Sequence, residues 1–261
     1  MKDLNNAWRK TASTLYRKPD DSKILGSVEL DITELQEYIS KKRKEGLKIT
    51  LTHFFTLVTA RAIKEKLPEL NTYIIRGNVR SHKQINATVS VLLRENEMGS
   101  VKVEDADKLN YFTIVDKLQA KIIEARKGTE NSTMQMKDRL AAIPWPFRGL
   151  AYWIIKKLLV DWGVSVGGLS ANNFGSYIVS NIGSLGLDNG YPALFPAANI
   201  SFVLIMGGVK KTPLVIKDEV KIRTVITLAA ALDHRVVDAS HAGILFKFYK
   251  KAVKHPEMFE F

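Results

Sequence analysis

His234 is the residue of this chain best placed to do chemistry, because of what surrounds it. It stands in Asp233-His234-Arg235-Val236-Val237-Asp238, where a strand-like run over 220–232 meets a helix-like run over 239–253. A histidine at such a junction can be held by the backbone of the turn while its ring points into a cleft. The carboxylate of Asp238, four residues on, is placed to lock the local geometry. Imidazole exchanges its proton near neutral pH, so a rigidly aimed ring suits a general base. Ser180 is the second candidate, at the end of Gly175-Ser176-Tyr177-Ile178-Val179-Ser180 and just before Asn181-Ile182-Gly183-Ser184-Leu185-Gly186. A serine at a strand end followed by glycines is open to substrate or ligand. On residue type alone, His234 serves as well as a core histidine, and many loops carry a serine like Ser180.

Other chemistries find less support. The chain has no cysteine, which removes disulfides, cysteine nucleophiles and cysteine-ligated metals. Its five histidines (His53, His82, His234, His241, His255) lack ligand spacing, so no metal is expected. No G-x-S-x-G elbow occurs, so a serine hydrolase lacks its signature. A net charge of +12 calls for an anionic partner, with basic clusters at Lys41-Lys42-Arg43-Lys44 and Lys210-Lys211. No helix-turn-helix, zinc-finger or RNA-binding aromatic pattern accompanies that charge, which leaves nucleic acid a weak alternative. Met1 to Asn6 contains no apolar secretory core, so a cytoplasmic location is expected.

The elements that must position these residues read as follows. Residues 7–17 form a short helix ended by Pro19, and Ile24 to Leu30 alternates like a strand. Asp31 is expected to N-cap a helix reaching Lys44, with Glu34 completing a capping box. Thr50 to Lys66 is a long helix stopped by Pro68. Strands follow at Thr72–Ile75, Asn86–Arg94 and Gly99–Val103, the first two joined by a turn at Gly77-Asn78, then a helix over 110–127. The last third holds strands at Tyr177–Val179, Ile200–Met206, Leu214–Ile216 and Val220–Leu232. Strands and helices mix without a βαβ rhythm, so an α+β fold with a mixed β-sheet flanked by helices is expected. With 46% apolar residues and no low-complexity linker, one domain over 1–261 is expected.

Residues 133–172 stand apart. Ile143-Pro144-Trp145-Pro146-Phe147 is a rigid aromatic turn, and Leu150 to Trp162 reads as an amphipathic helix. Its apolar stretch is far shorter than the ~20 residues that crossing a bilayer takes. It suits packing on its own domain, on a neighbouring subunit, or, through 144–162, on an anionic membrane face.

The motif Asp233 to Asp238 resembles the active-site motif of the catalytic domain of dihydrolipoamide acyltransferases, the core component of 2-oxoacid dehydrogenase complexes. Other segments agree in order: Trp8-Arg9-Lys10-Thr11-Ala12, Leu67-Pro68-Glu69-Leu70-Asn71, Ile178-Val179-Ser180-Asn181-Ile182-Gly183, Phe195-Pro196 and Met206-Gly207-Gly208-Val209. The resemblance implies a chloramphenicol acetyltransferase-like two-layer sandwich. It implies His234 as the base that deprotonates an attacking thiol of coenzyme A or dihydrolipoamide. Ser180 would donate to the oxyanion, and Asp238 would hold the turn in an ion pair with Arg9. Asn181 and Gly183 would touch substrate. Acyl-CoA and a lipoyl-bearing protein are the implied partners. The implied assembly is a homotrimer or a larger trimer-based one, with His234 facing Ser180 of the adjacent chain.

Departures from the family pattern are also legible. Ala239 stands where the family carries glycine, and Glu95 to Val103 replaces the segment lining the dihydrolipoamide channel. Residues 133–172 replace a shorter segment, and no lipoyl domain is expected ahead of the catalytic unit. These departures motivate a second reading, a catalytically inactive trimeric scaffold or assembly protein of the same fold.

Overall fold

The two longest strands lie near the C-terminus, and the sheet is built outward from them. The computed structural model describes residues 22–94, 97–127, 142–144, 147–165, 170–194 and 198–260. Strand β7 (Phe202–Ile216) pairs antiparallel with β8 (Glu219–Asp233) along almost its whole length. Their connection, Lys217-Asp218, has positive φ at both residues, the backbone of a tight hairpin. Strand β1 (Lys23–Asp31) adds antiparallel to the far side of β8. On the other side β6 (Tyr177–Asn181) runs parallel to β7, β4 (Ala87–Arg94) runs parallel to β6, and β5 (Glu97–Val103) closes the edge antiparallel. The order is β1-β8-β7-β6-β4-β5, a mixed sheet, beside a separate hairpin of β2 (Thr72–Ile75) and β3 (Asn78–Ser81).

Alternation along the strands separates two faces. Tyr177, Val179, Phe202, Leu204, Leu228 and Ala230 all point to one side. There they meet helices α1 (Thr33–Lys44), α2 (Leu51–Glu65), α3 (Tyr111–Arg126) and α5 (Ala239–Ala252) in a continuous apolar core. The opposite side carries a smaller cluster of Val203, Ile205 and Ala229 with Ala198 and Ile200. Helices on one face of a mixed sheet give the expected α+β, two-layer arrangement. In this core the Tyr177 hydroxyl donates to the Thr56 carbonyl, and Thr59 Oγ1 lies 2.8 Å from the Tyr249 hydroxyl.

Several elements differ from the sequence reading. Asp31 is the last residue of β1, and Ile32 occupies the N-cap of α1. The Asp31 carboxylate still accepts from the Thr33 N–H at 3.0 Å, but it also takes the Arg223 Nε–H at 2.6 Å. Glu34 joins that ion pair at 3.3 Å instead of closing a capping box. Arg76 and Gly77 turn β2 back into β3, not into the 86–94 strand. The strands expected at 200–206 and 214–216 are one strand interrupted by a bulge between Met206 and Val209. The amphipathic segment is helix α4 (Phe147–Lys156) continued by a π turn over Lys157–Asp161. No described helix is long and apolar enough to cross a membrane. The expected helix over 7–17 with Arg9, residues 133–141, Trp145-Pro146 and Phe195-Pro196 lie outside the described residues.

Two histidines serve the fold. His53 sits at the third position of α2, where its Nδ1 accepts from the N–H of the N-cap Thr50 at 3.1 Å. His82 packs beside the Tyr73 ring, centroids 4.7 Å apart. Burial, aided by Arg43 near His53 and Lys102 near His82, pushes both down to about 4.

Phe54 lies fully buried on α2 among Phe55, Tyr111 and Phe259. Phe54→Ala should lower unfolding stability by about 3–5 kcal/mol with an unchanged denaturant slope, read from urea titration. The histidines set an acid limit. Their folded pKa lies below the unfolded value of 6.5, so the unfolded chain binds protons first as pH falls. Stability present above pH 6.5 should therefore be lost progressively down to about pH 4. Thermal melts of the His53→Asn/His82→Gln variant should show a flatter profile through that window.

Candidate active site

The turn carrying His234 is fixed by its neighbours. At the end of β8 the Asp233 N–H bonds the Ser201 carbonyl at 2.9 Å, and the Asp233 carbonyl accepts from Val236 and Val237 at 2.9 and 3.0 Å. Inside the turn the Asp233 carboxylate takes the Arg235 backbone N–H at 3.0 Å and its guanidinium through Nε and Nη2. Asp233 and Arg235 are both buried, as are Val236 and Val237. A fork-shaped cation on a carboxylate two residues away leaves the backbone little freedom. His234 alone turns outward, its side chain 31% exposed.

Its tautomer follows from one contact. Nδ1 lies 2.9 Å from the Val237 carbonyl, which can only accept, so Nδ1 carries the proton. Nε2 is then the ring's lone pair. Asp238 Oδ1 stands 3.5 Å from the same Nδ1, placing a carboxylate where it stabilises positive charge gained by the ring. Asp238 is also the N-cap residue of α5 and donates its N–H to His241 Nδ1 at 3.0 Å. His241 thus does for α5 what His53 does for α2. His255 lies beside Glu257 on the surface, 3.4 Å away. Among the five histidines, the arrangement of a base is found at His234. Ala239, the departure from glycine, is the first helical residue of α5 and is absent from the positive-φ positions, so its methyl is tolerated.

Ser180 lies on β6 opposite Ile205 of β7. It shares a face with Ile178, away from the helices. Asn181 donates to Thr52 Oγ1 at 3.4 Å and accepts from the Ser184 N–H at 3.2 Å, which ties the loop after β6 to the start of α2. Gly183 has a packing reason: a Cβ there would stand 2.4 Å from the Gly207 carbonyl oxygen. Gly207 in turn lies against Asp188, whose carbonyl would be 2.0 Å from an added Cβ. The loop over 182–188 is therefore pressed backbone to backbone onto the β7 bulge. Two glycine-bearing motifs, Ser180 to Gly183 and Met206 to Val209, are thus the two sides of one contact.

The register keeps Ser180 and His234 apart within a chain. Ser180 pairs with Ile205, and Ile205 with Ala229, so the strand position level with Ser180 on β8 is five residues short of His234. Two strand spacings sideways and five residues along give roughly 15–20 Å between the two backbones. One serine and one histidine side chain cannot reach a common small group across that gap. Sequence reasoning missed the Asp233–Arg235 clamp and the capping role of His241. The i, i+2 spacing of opposite charges and the i, i+3 spacing from an Asp N-cap were their available signals. Among the described residues no cluster of histidines and carboxylates suited to a metal ion occurs. Arg9 lies outside the described residues, as does its expected pairing with Asp238.

Comparison with known proteins identifies the family and the fold. The family model described as 2-oxoacid dehydrogenases acyltransferase (catalytic domain) matches residues 3–140 and 170–260, passing over the stretch that holds α4. The acetyltransferase component of the pyruvate dehydrogenase complex of Rickettsia felis is 24% identical over 229 residues, covering 87% of this chain and 46% of that protein. The chain thus spans about half the length of the curated relatives it matches. In fold it is similar to a probable dihydrolipoamide acetyltransferase from Listeria monocytogenes, with a TM-score of 0.68, 20% identity, and 94% and 88% of the two chains covered. A chloramphenicol acetyltransferase follows at a TM-score of 0.53, 14% identity, and 96% and 97% coverage. With the match running through both the Ser180 strand and the His234 turn, the chain belongs to the family of 2-oxoacid dehydrogenase acyltransferase catalytic domains.

Proposed function

We propose that this protein moves an acyl group between coenzyme A and a thiol of dihydrolipoamide type, at sites shared between neighbouring subunits of a homotrimer. The observation that carries the reading is the Nδ1–H bond from His234 to the Val237 carbonyl, which reserves Nε2 for accepting a proton. Nε2 takes the proton of the attacking thiol, and the thiolate adds to the thioester carbonyl carbon. The carbonyl oxygen becomes an oxyanion that receives a hydrogen bond from Ser180 Oγ–H of the adjacent subunit. Collapse of the tetrahedral intermediate expels the other sulfur as a thiolate, which recovers the proton from Nε2. The Asp238 carboxylate, 3.5 Å from Nδ1, supports the ring while it is charged. The wide intrachain separation of Ser180 and His234 supports a second subunit's part in the site. Coenzyme A is a phosphate-bearing anion, for which the net charge of +12 is suited. A lipoyl-bearing protein is the proposed source of the acceptor thiol.

The acceptor side rests on the family's chemistry, and the base on this chain's own turn. Purified protein should therefore turn over acetyl-CoA or succinyl-CoA with dihydrolipoamide, followed by release of free coenzyme A thiol. His234→Ala should lower kcat by about 10²–10⁴-fold with little change in thermal stability. Turnover untouched by that substitution would contradict the mechanism, and no turnover by the unsubstituted protein would leave the trimeric scaffold as the better reading.

A further inference from the structure

Helix α4 buries none of its residues. Phe147, Leu150, Trp153 and Ile154 are all exposed, Trp153 by 58%, and at 100° per residue they fall within an arc of about 120°. Trp162, 54% exposed, and Val164 extend the apolar surface beyond the helix. The segment is anchored from below only. Leu159 and Val160 in the π turn are buried, and the Asp161 and Trp162 carbonyls accept from Arg76 N–H and Nε–H at 3.0 and 3.2 Å. Gly163 lies against Ile75, which would be 2.8 Å from an added Cβ. Ala151, Tyr152 and Ile155 are only half-buried, and a helix of this length with so little packing is marginal in water, so its open apolar side calls for a cover.

Charge decides between covers. Lys156 and Lys157 flank the apolar face and Arg76 lies beneath Trp162, against one carboxylate among the described residues, Asp161, which already stands 3.6 Å from Lys157. A second copy meeting this surface about a two-fold axis would bring cation to cation, and any other copy adds a further +12 beside it. An anionic bilayer offers an apolar interior and a negative rim at once. Tryptophan rings favour the headgroup level, where Trp153 and Trp162 would sit.

We propose that α4 and the following turn dock this protein on an anionic phospholipid surface, the helix lying in the plane of the interface with Phe147, Leu150, Trp153 and Ile154 inserted. The surface lies outside the stretch matched by the family model, so it is a property added to the acyltransferase scaffold. It is independent of the proposed catalysis, since binding is read without any substrate.

The test is co-sedimentation of the full chain with phosphatidylcholine vesicles, with and without phosphatidylglycerol. Binding is expected with phosphatidylglycerol, weaker without it, and weaker at raised salt. Leu150→Glu/Trp153→Glu should reduce binding by about tenfold or more, since two inserted apolar groups are lost. Lys156→Glu/Lys157→Glu should reduce it toward the level on neutral vesicles. Circular dichroism melts of both variants, altered at exposed or half-exposed positions, should match the parent. Failure to sediment with either vesicle type would overturn the proposal, as would undiminished binding of the Leu150→Glu/Trp153→Glu variant. A smaller species in sedimentation velocity for that variant would also overturn it and assign the face to a second copy.

Discussion

The buried pair of Asp233 and Arg235 is the interaction on which the site depends. It closes the end of the longest strand onto itself and leaves His234 as the one residue of the turn that faces outward. Two charges taken from water are worth little net stability when paired, yet removing one partner of such a pair costs about 3–5 kcal/mol. Its value here is conformational. With the turn fixed, the Val237 carbonyl is held under the imidazole at 2.9 Å, and the ring's tautomer is settled before any substrate arrives. A base oriented by backbone needs no relay residue behind it. Asp238 stands beside both the ring and the start of α5.

The second constraint is the register of β6, β7 and β8. A sheet is rigid along its strands, so a serine on one strand and a histidine beyond the end of another keep their spacing. Ser180 and His234 belong to opposite regions of one chain's sheet, and the proposed reading closes the distance with a neighbouring chain. The glycine contact between the loop over 182–188 and the β7 bulge fixes the Ser180 side of that arrangement, as the clamp fixes the His234 side. In the proposed trimer each subunit would offer two halves of different sites, each held by backbone packing.

Much of this was legible in the sequence. The strand ending at Asp233, the helix from Ala239 and the turn between them follow from local apolar periodicity, and the structure keeps their bounds nearly unchanged. Where reading failed, a distant partner had intervened. The Asp31 carboxylate bonds Thr33 as a cap would, yet Arg223 draws it into the sheet, and the helix starts later. Strand β3 has a single buried residue, Val79, so its four residues show no alternation to read. Gly207-Gly208 and the lysines after it broke the pattern of β7, which the bulge repairs in three dimensions. The separation of Ser180 from His234 is set by pairings between segments remote in sequence, and no local pattern encodes it. The family resemblance supplied the expectation of a second chain, and the register gives that expectation a physical reason.

The central claim is that one chain's His234 works with its neighbour's Ser180, and complementation tests it most directly. Chains carrying His234→Ala and chains carrying Ser180→Ala are co-expressed and purified as mixed assemblies. In randomly mixed trimers about a quarter of the interfaces pair an intact histidine with an intact serine. Acyl transfer near a quarter of the wild-type rate, from two nearly inactive parents, is the expected result. Activity no higher than that of either parent, in assemblies shown to be mixed, would contradict the shared site.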